Sequence, residues 1–429
     1  MLKHIRNHYP VGQGYFHSAL VQIEGTSINY CYDCGSENPD PLHNEVKRYT
    51  EKHSVIDILF LSHLDYDHVS GLDELLALCS TETVVLPYLT DFERLYLLSE
   101  VFEYGRVSGE YTSLLGDPIK WFAQRGIKNI ILIKGDENDD APPTFPEDTP
   151  YFPPSSPKKQ IDRQSEHQEF SPINKIMLDF NRIQMYKQPT TSSASQAAVY
   201  IVPNTHVFRL TDNASQPVNW GFITFVHPEK QRETTFKEAF EREFVTTSYT
   251  ISMDSHTDIT DTLTCILKDP QERNRLAECY KVIRENRNLT SLSLYSGPLV
   301  MMPNFKFSYR RTFKNKSTTK PQHVVACGWL GTGDADLKGI RRRKKFKNHF
   351  GRIYSSVLNI SLPHHGSKLS YDEDIIPANC EVCTLSAATK NSYSHPHSDV
   401  TVSVQRQKKK LFQSSEKPET LFVESIELE

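Results

Sequence analysis

The chain has 429 residues, 38% of them hydrophobic and 24% charged, enough for a large core or for one domain carrying insertions. Its net charge of −4 excludes a protein that coats duplex nucleic acid through overall basicity, while leaving room for a local basic patch. MLKHIRNHYPVGQG has no apolar signal-peptide core and no apolar run approaches the roughly 18 residues of a membrane span, so a cytoplasmic protein with no membrane partner is expected.

In chain order, Val11-Gly12-Gln13-Gly14 precedes SALVQIEG and SINYCYDCG, joined at Gly25-Thr26. This predicts a β-hairpin ending at Asp33-Cys34-Gly35. Cys31-x-x-Cys34 and Cys380-x-x-Cys383 have zinc-ribbon spacing, but strand residues three apart face opposite sides, so buried reduced thiols are expected. A helix is predicted over Pro41 to Lys52, then a buried strand over Val55 to Leu61.

That strand runs into LSHLDYDHVSGL, which places His63, Asp65, Asp67 and His68 within six positions. Alternate positions on an extended loop project to one side, so His63 and Asp65 can share one ion, and the adjacent Asp67 and His68 can reach a second. Two ions about 3.5–4 Å apart stabilise the attacking and the leaving oxygen together. A helix over Leu72 to Leu78 follows, and TVVLPYL (83–89) and KNIILIK (128–134) read as strands. Alternating strands and helices predict a layered α/β architecture.

Asp136 to about Pro172 is rich in Pro, Asp, Glu and Ser and reads as a surface insertion, with docking of a protein partner as its alternative use. Strands resume in KIMLDFNRIQM, AAVYIVPNTHVFRL and NWGFITFVHPEK, the last ending at His227. About 60 residues then precede Asn288-Leu289-Thr290-Ser291 and predict a helix-containing insertion. HVVACGWLGTGDADLK reads as a strand ending in Gly331-Thr332-Gly333-Asp334. A carboxylate on such a turn can bridge two ions, with Asp336 as the nearby alternative. RRRKKFK (341–347) follows, either a solvated helix face or a phosphate-backbone contact through Arg342 and Arg343. The strand Val357 to Leu362 then delivers Pro363-His364-His365-Gly366-Ser367, and Asn391, Tyr393, His395 and His397 close the set. Residues 406–429 read as a charged tail, ordered only as far as a final helix goes.

His-x-Asp-x-Asp-His, with the VGQG hairpin, the GTGD turn, HHGS and the Asn-aromatic-His-Pro-His ending, resembles the metallo-β-lactamase superfamily. Within it the chain is similar to the soluble hydrolase domain of ComEC-type competence proteins, whose motifs occur in the same order. The resemblance implies an α/β, four-layer αββα metallo-β-lactamase fold with surface insertions. Its halves would be 1–135 and 291–405, flanking a Pro-rich insertion (136–175) and strands with a helical insertion (176–290). It implies that Gln13 and Asp33 lie near the metals, that His227 is a third ligand of the first ion, and that His365 is a ligand of the second. His364, Ser367, Asn391 and Tyr393 would touch substrate, and His395 and His397 would donate to a phosphate oxygen or protonate a leaving group.

The expected cofactors are two Zn or Mn ions. His63, Asp65 and His227 would hold one, and Asp67, His68 and His365 the other, with Asp334 between them. Asp67, His395 and His397 are the catalytic candidates. The expected reaction is metal-dependent hydrolysis of a phosphodiester, in nucleic acid or a cyclic nucleotide. The alternatives are an acyl-ester, thioester or lactone hydrolase, and a non-catalytic metal-binding scaffold.

Overall fold

The computed structural model describes residues 2–95, 97, 109–135, 197–227, 230–244, 259–281, 290–300, 305–311 and 322–428, with single gaps at 24 and 215 and short pieces between 142 and 186. The Pro-rich stretch lies outside the described residues except for 142–143 and its last few positions, and Asn288 lies outside them too. Among the described residues no helix is long and apolar enough to cross a membrane.

Two large mixed sheets carry the fold. In the first, β1 (Leu2–His8), β2 (Gly14–Ile23) and β3 (Thr26–Ser36) are antiparallel neighbours, and β4 (Ile58–Phe60), β5 (Thr83–Pro87) and β6 (Asn129–Lys134) continue parallel to β3. Ala198–Pro203 and Gln184–Tyr186 extend that edge. In the second sheet β7 (Pro217–Val226) and β8 (Leu292–Gly297) are antiparallel. Beyond β8 come β9 (Gly328–Gly331), β10 (Val357–Ser361), β11 (Val382–Ser386) and β12 (Lys410–Ser414), parallel to one another.

One apolar cluster lies between the sheets, with Tyr30, Phe60 and Ile131 from the first against Phe222, Leu294 and Trp329 from the second. A second cluster joins the outer face of the first sheet to helices, and a third does the same for the second sheet. The order helix, sheet, sheet, helix is the expected αββα sandwich. β3 to β6 are apolar on both faces because both faces are covered. The first outer layer includes α1 (Pro39–Thr50), α2 (Tyr66–Val69), α3 (Leu72–Leu78), α4 (Gly109–Gly116) and α5 (Pro118–Gln124).

The segment after His227 contains α6 (Lys230–Glu243), α7 (Thr260–Lys268) and α8 (Pro270–Lys281). These helices lie in the segment expected to be a helical insertion, and they join the first outer layer, where Phe92 meets Phe236 and Phe240 at 5.8 Å each. α9 (Ile340–Phe350) and α10 (Ser398–Arg406) cover the second sheet.

The tail corrects the sequence reading. It is not a charged extension: beyond α10 it forms β12 and β13 (Phe422–Leu428). β13 pairs antiparallel with β1 on one side and with Phe305–Arg311 on the other. β1 is unforeseen for the same reason, that both strands bury polar side chains. β1 turns His4, Arg6 and His8 inward, and β13 turns Glu424 inward between Phe422 and Ile426. Arg6 pairs with Glu424, which also accepts from Asn359 Nδ2 of β10 at 2.8 Å. Burial holds His8 down at about 3 and depresses His4 and His17 too, so the three are neutral. The eight cysteines are free thiols, all buried except Cys265, as expected for Cys31, Cys34, Cys380 and Cys383.

Gly35 shows why the hairpin ends as it does. A Cβ there would lie 2.4 Å from His68 C and Val69 N, so only glycine lets the turn lie against α2. Gly35→Ala is therefore expected to push α2 outward and cut metal content and folding yield together. Normal metal content in a well-folded variant would contradict this packing.

Candidate metal centre

Ligand-bearing segments from both sheets meet at one edge. β4 leads into Ser62–Asp65, β9 into Thr332–Asp334 and β10 into His364–His365, each at the C-terminal end of a strand in a parallel pair. Three bonds from backbone amides lock the edge: Leu292 N to Ser62 O at 2.6 Å, Ser62 N to the Asp33 carboxylate Oδ1 at 2.6 Å, and His364 N to Gly333 O at 3.0 Å. Gly333 is left-handed at φ +52, and a Cβ on it would sit 2.4 Å from Ser291 Oγ and 2.7 Å from Ser62 Cβ. Ser291 Oγ in turn accepts from Asp334 N at 3.0 Å, which sets the carboxylate.

Each imidazole is tied at Nδ1. His63 meets Ser62 Oγ at 2.8 Å, His68 meets Asp33 Oδ2 at 2.9 Å, and His365 meets the Ser386 carbonyl at 2.9 Å. The opposite nitrogens converge. His63 Nε2 is 3.5 Å from Asp65 and 3.8 Å from Asp334, and His68 Nε2 is 3.4 Å from Asp334. His365 Nε2 is 3.2 Å from Asp67 and 3.8 Å from Asp334.

Two sets of ligand atoms lie within 4.8 Å of one another: His63, His68 and Asp334, and Asp67, His68 and His365. All three Nε2 atoms and Asp65 Oδ1 are buried without a hydrogen-bond partner. Asp65 sits at the N-cap of α2, yet its side chain makes no capping bond. Buried polar atoms left without partners are costly, and here they share one focus, as a cation would require. With the imidazoles neutral, Asp33, Asp65, Asp67 and Asp334 total −4, the charge two divalent ions would balance. The donor set fits the expected metal.

Electrostatics agree. Burial alone would depress the imidazoles, but Asp65 and Asp334 raise His63, the carboxylates of Asp67, Asp334 and Asp33 raise His68, and Asp334 and Asp67 raise His365. Burial would raise the carboxyls, but His68 and His365 hold Asp67 below its ordinary value, and His364, His365 and His68 do the same for Asp334. The pocket favours positive charge at its middle.

Among the described residues, four of the five non-glycine residues with positive φ lie around this focus: Asp33 (58°), His364 (49°), His365 (55°) and Ser394 (59°). Each such backbone costs about 1–3 kcal/mol and persists where packing over-determines it, commonly at functional sites.

The remaining candidates divide. His364 joins the rim, with Nδ1 on Ser370 Oγ at 3.1 Å and Nε2 3.6 Å from Asp334. His395 stacks over His365 at 6.2 Å and Tyr393 over His395 at 5.7 Å, rising toward solvent. Burial, then His365 and His364, lower His395 to about 4, so it is neutral at pH 7. Asn391 spends its amide on the loop, on Ala388 O, His395 O and His395 N. His397 accepts from Asp399 N and caps α10, and Ser367 Oγ accepts from Leu369 N. Arg342 pairs with Asp336 and Arg343 with Asp372 and Asp374, so these two guanidiniums bind the fold's own carboxylates rather than standing clear for a phosphate. His227 follows directly on β7, edge-on to Phe225, and neither ligand set found among the described residues includes it.

Ser62, Ser370 and the Ser386 carbonyl anchor imidazoles and were not marked by the sequence. The signal for Ser62 and Ser370 was a hydroxyl near a ligand histidine. Asp33 was marked only as lying near the metals, and it is the Nδ1 partner of His68.

No family model matches the sequence, and no curated protein matches it. Solved structures similar to the chain include a long-form RNase Z from yeast, at 10% identity and TM-score 0.29, over 84% of this chain and 32% of that one. The subclass B3 metallo-β-lactamase MEM-A1 from a soil metagenome library is 15% identical at TM-score 0.15, over 49% of this chain and 60% of that one. A motif mutant of a metallo-β-lactamase from Cronobacter sakazakii is 12% identical at TM-score 0.18, over 64% and 91%. The chain thus spans about a third of the yeast protein's length. Its class is an αββα sandwich with a histidine–aspartate centre at the shared edge of its sheets.

Proposed function

We propose that the chain is a dinuclear metal-dependent hydrolase that cleaves phosphodiesters. The observation that carries this reading is the set of three imidazoles tied at Nδ1, whose partnerless buried Nε2 atoms face the carboxylates of Asp65, Asp67 and Asp334. His63 and Asp65 would hold one ion, with His227 as the further candidate, and Asp67, His68 and His365 the other, with Asp334 between them. Divalent ions held there, Zn or Mn, would supply a water that ionises near neutral pH and a clamp on the phosphoryl oxygens.

The chain's own residues would do the rest. Asp33, Ser62 and the Ser386 carbonyl hold the rings, as outer partners do in metal sites generally. Asp67 would accept a proton from the attacking water. His364 and His395 line the mouth as donors to a phosphate oxygen, and neutral His395 can donate while it stays uncharged. The exposed cations of α9 are Arg341, Lys344 and Lys347 rather than Arg342 and Arg343, and they are the ones free to follow a nucleic-acid backbone.

Acyl-ester hydrolysis is the second reading, because two exposed aliphatic side chains, Ile340 (77%) and Leu369 (66%), lie near loops joined by the Leu337 N to Ser370 O bond. The test is turnover of bis(p-nitrophenyl) phosphate against an acyl-ester panel, with Mn and Zn separately and with elemental analysis. Two ions per chain and preference for the diester are expected. Ester preference would replace the phosphodiester reading, and absence of metal after metal-replete expression would remove the centre itself.

A further inference from the structure

The metal loop is held from outside by a helix that carries no ligand. Tyr111, on α4, donates its hydroxyl to the Leu64 carbonyl at 2.8 Å. Leu64 is the residue between His63 and Asp65. The Tyr111 ring also meets Tyr66, the residue after Asp65, edge-on at 5.6 Å. One side chain thus meets the residues on both sides of Asp65, at the Leu64 backbone and at the Tyr66 ring, and it is itself buried.

α4 is fixed at its other end. Buried Arg94 donates to the Leu115 and Gly116 carbonyls at 3.1 and 2.5 Å and is held by Asp91 at 2.5 Å. The Gly116 carbonyl also accepts from Ile259 N at 3.1 Å, where the helical insertion enters α7. α7 packs on both α4 and α8. A continuous path of bonds therefore runs from the insertion through α4 to the peptide between two ligands.

We propose that Tyr111 is a positioning residue for the His63–Asp65 half of the metal centre, and that the helical insertion sets its place through α4. The Leu64 peptide lies between the two ligands, so its tilt fixes how the His63 and Asp65 side chains face each other. Their reach to a shared ion depends on that tilt. The second half, Asp67, His68 and His365, is held by α2, Asp33 and the second sheet, none of which the Tyr111 hydroxyl bonds. This inference rests on the metal reading above.

The experiment measures the metal itself. Metal-free full-length protein is titrated with Zn²⁺ against a chromogenic chelator and with Co²⁺ by its visible ligand-field absorption. Tyr111→Phe keeps the ring and removes the hydroxyl. It should weaken one of the two ions about tenfold, the scale typical of outer partners of metal ligands, and alter the Co²⁺ spectrum of that ion alone. Tyr295→Phe is the comparator, a buried tyrosine that donates to the Pro298 carbonyl at 2.9 Å away from the ligands. It should lower the melting temperature to a similar degree and leave both affinities intact. Ile259→Ala keeps the backbone bond to Gly116 but truncates the buried side chain that seats α7 in the first outer layer, and should weaken the same ion as Tyr111→Phe, by less.

Wild-type affinity and spectrum in Tyr111→Phe would overturn the proposal. So would equal loss in Tyr295→Phe, which would mark a general loosening, and unchanged affinity in Ile259→Ala would remove the insertion from it. Failure of the wild-type protein to bind either ion would instead overturn the metal reading.

Discussion

His68→Ala is expected to empty the centre and abolish turnover, with a larger loss than any other single ligand change. His68 belongs to both ligand sets, and its ring lies 4.0 Å from that of His63 and 5.4 Å from that of His365. Removing it opens both halves and leaves the carboxylates of Asp67 and Asp334 facing each other without a base between them. Asp33→Asn is the graded companion. Asn tolerates the left-handed backbone at this position and still accepts from Ser62 N, but it presents no charge to His68 Nδ1. Its metal affinity should fall about 10–100-fold, the range for outer partners of ligand histidines. Elemental analysis and diester turnover check both. If His68 served packing alone, activity in the Ala variant would track its folded fraction with metal content unchanged.

The fold was legible where hydrophobic period and chemistry pointed the same way. Ile58–Phe60 and Thr83–Pro87 are short, mainly apolar runs, and each forms a strand covered on both faces. The ligand cluster was legible because two His and two Asp at a strand end have no packing use. Three things hid the rest. β1 and β13 bury His4, Arg6, His8 and Glu424, so a reading that looks for apolar alternation passes over them. Partnerships across the chain, such as Asp33 with His68 or Tyr111 with Leu64, depend on packing that spacing along the chain does not encode. Charge at a surface run says nothing of its partners: Arg342 and Arg343 look like phosphate clamps until Asp336, Asp372 and Asp374 are found beside them.

Glu424→Ala should be the most destabilising single change far from the metals. Glu424 is fully buried, and its two oxygens are divided between the Arg6 guanidinium and Asn359 Nδ2. Truncation strands a buried cation, which typically costs about 3–5 kcal/mol, and a melting temperature roughly 3–6 °C lower is expected for a chain of this length. The loss should also reach the centre. Asn359 and Ser361 are the inward polar residues of β10, the strand that delivers His364 and His365, and each bonds to the first sheet. Asn359 does so through Glu424, and Ser361 through Tyr15 at 2.5 Å, whose ring lies parallel to that of His68 at 6.3 Å. These bonds hold together two sheets whose ligands must meet across the gap between them. The double change Arg6→Met with Glu424→Leu removes both charges and fills their volume, so it should be far milder, leaving mainly Asn359 to find a partner at about 1–3 kcal/mol. Thermal melts of the three proteins, with and without added Zn²⁺, read the outcome. A Glu424→Ala melt within a degree or two of wild type, or a double variant as unstable as the single one, would show that the ion pair is not what joins the sheets.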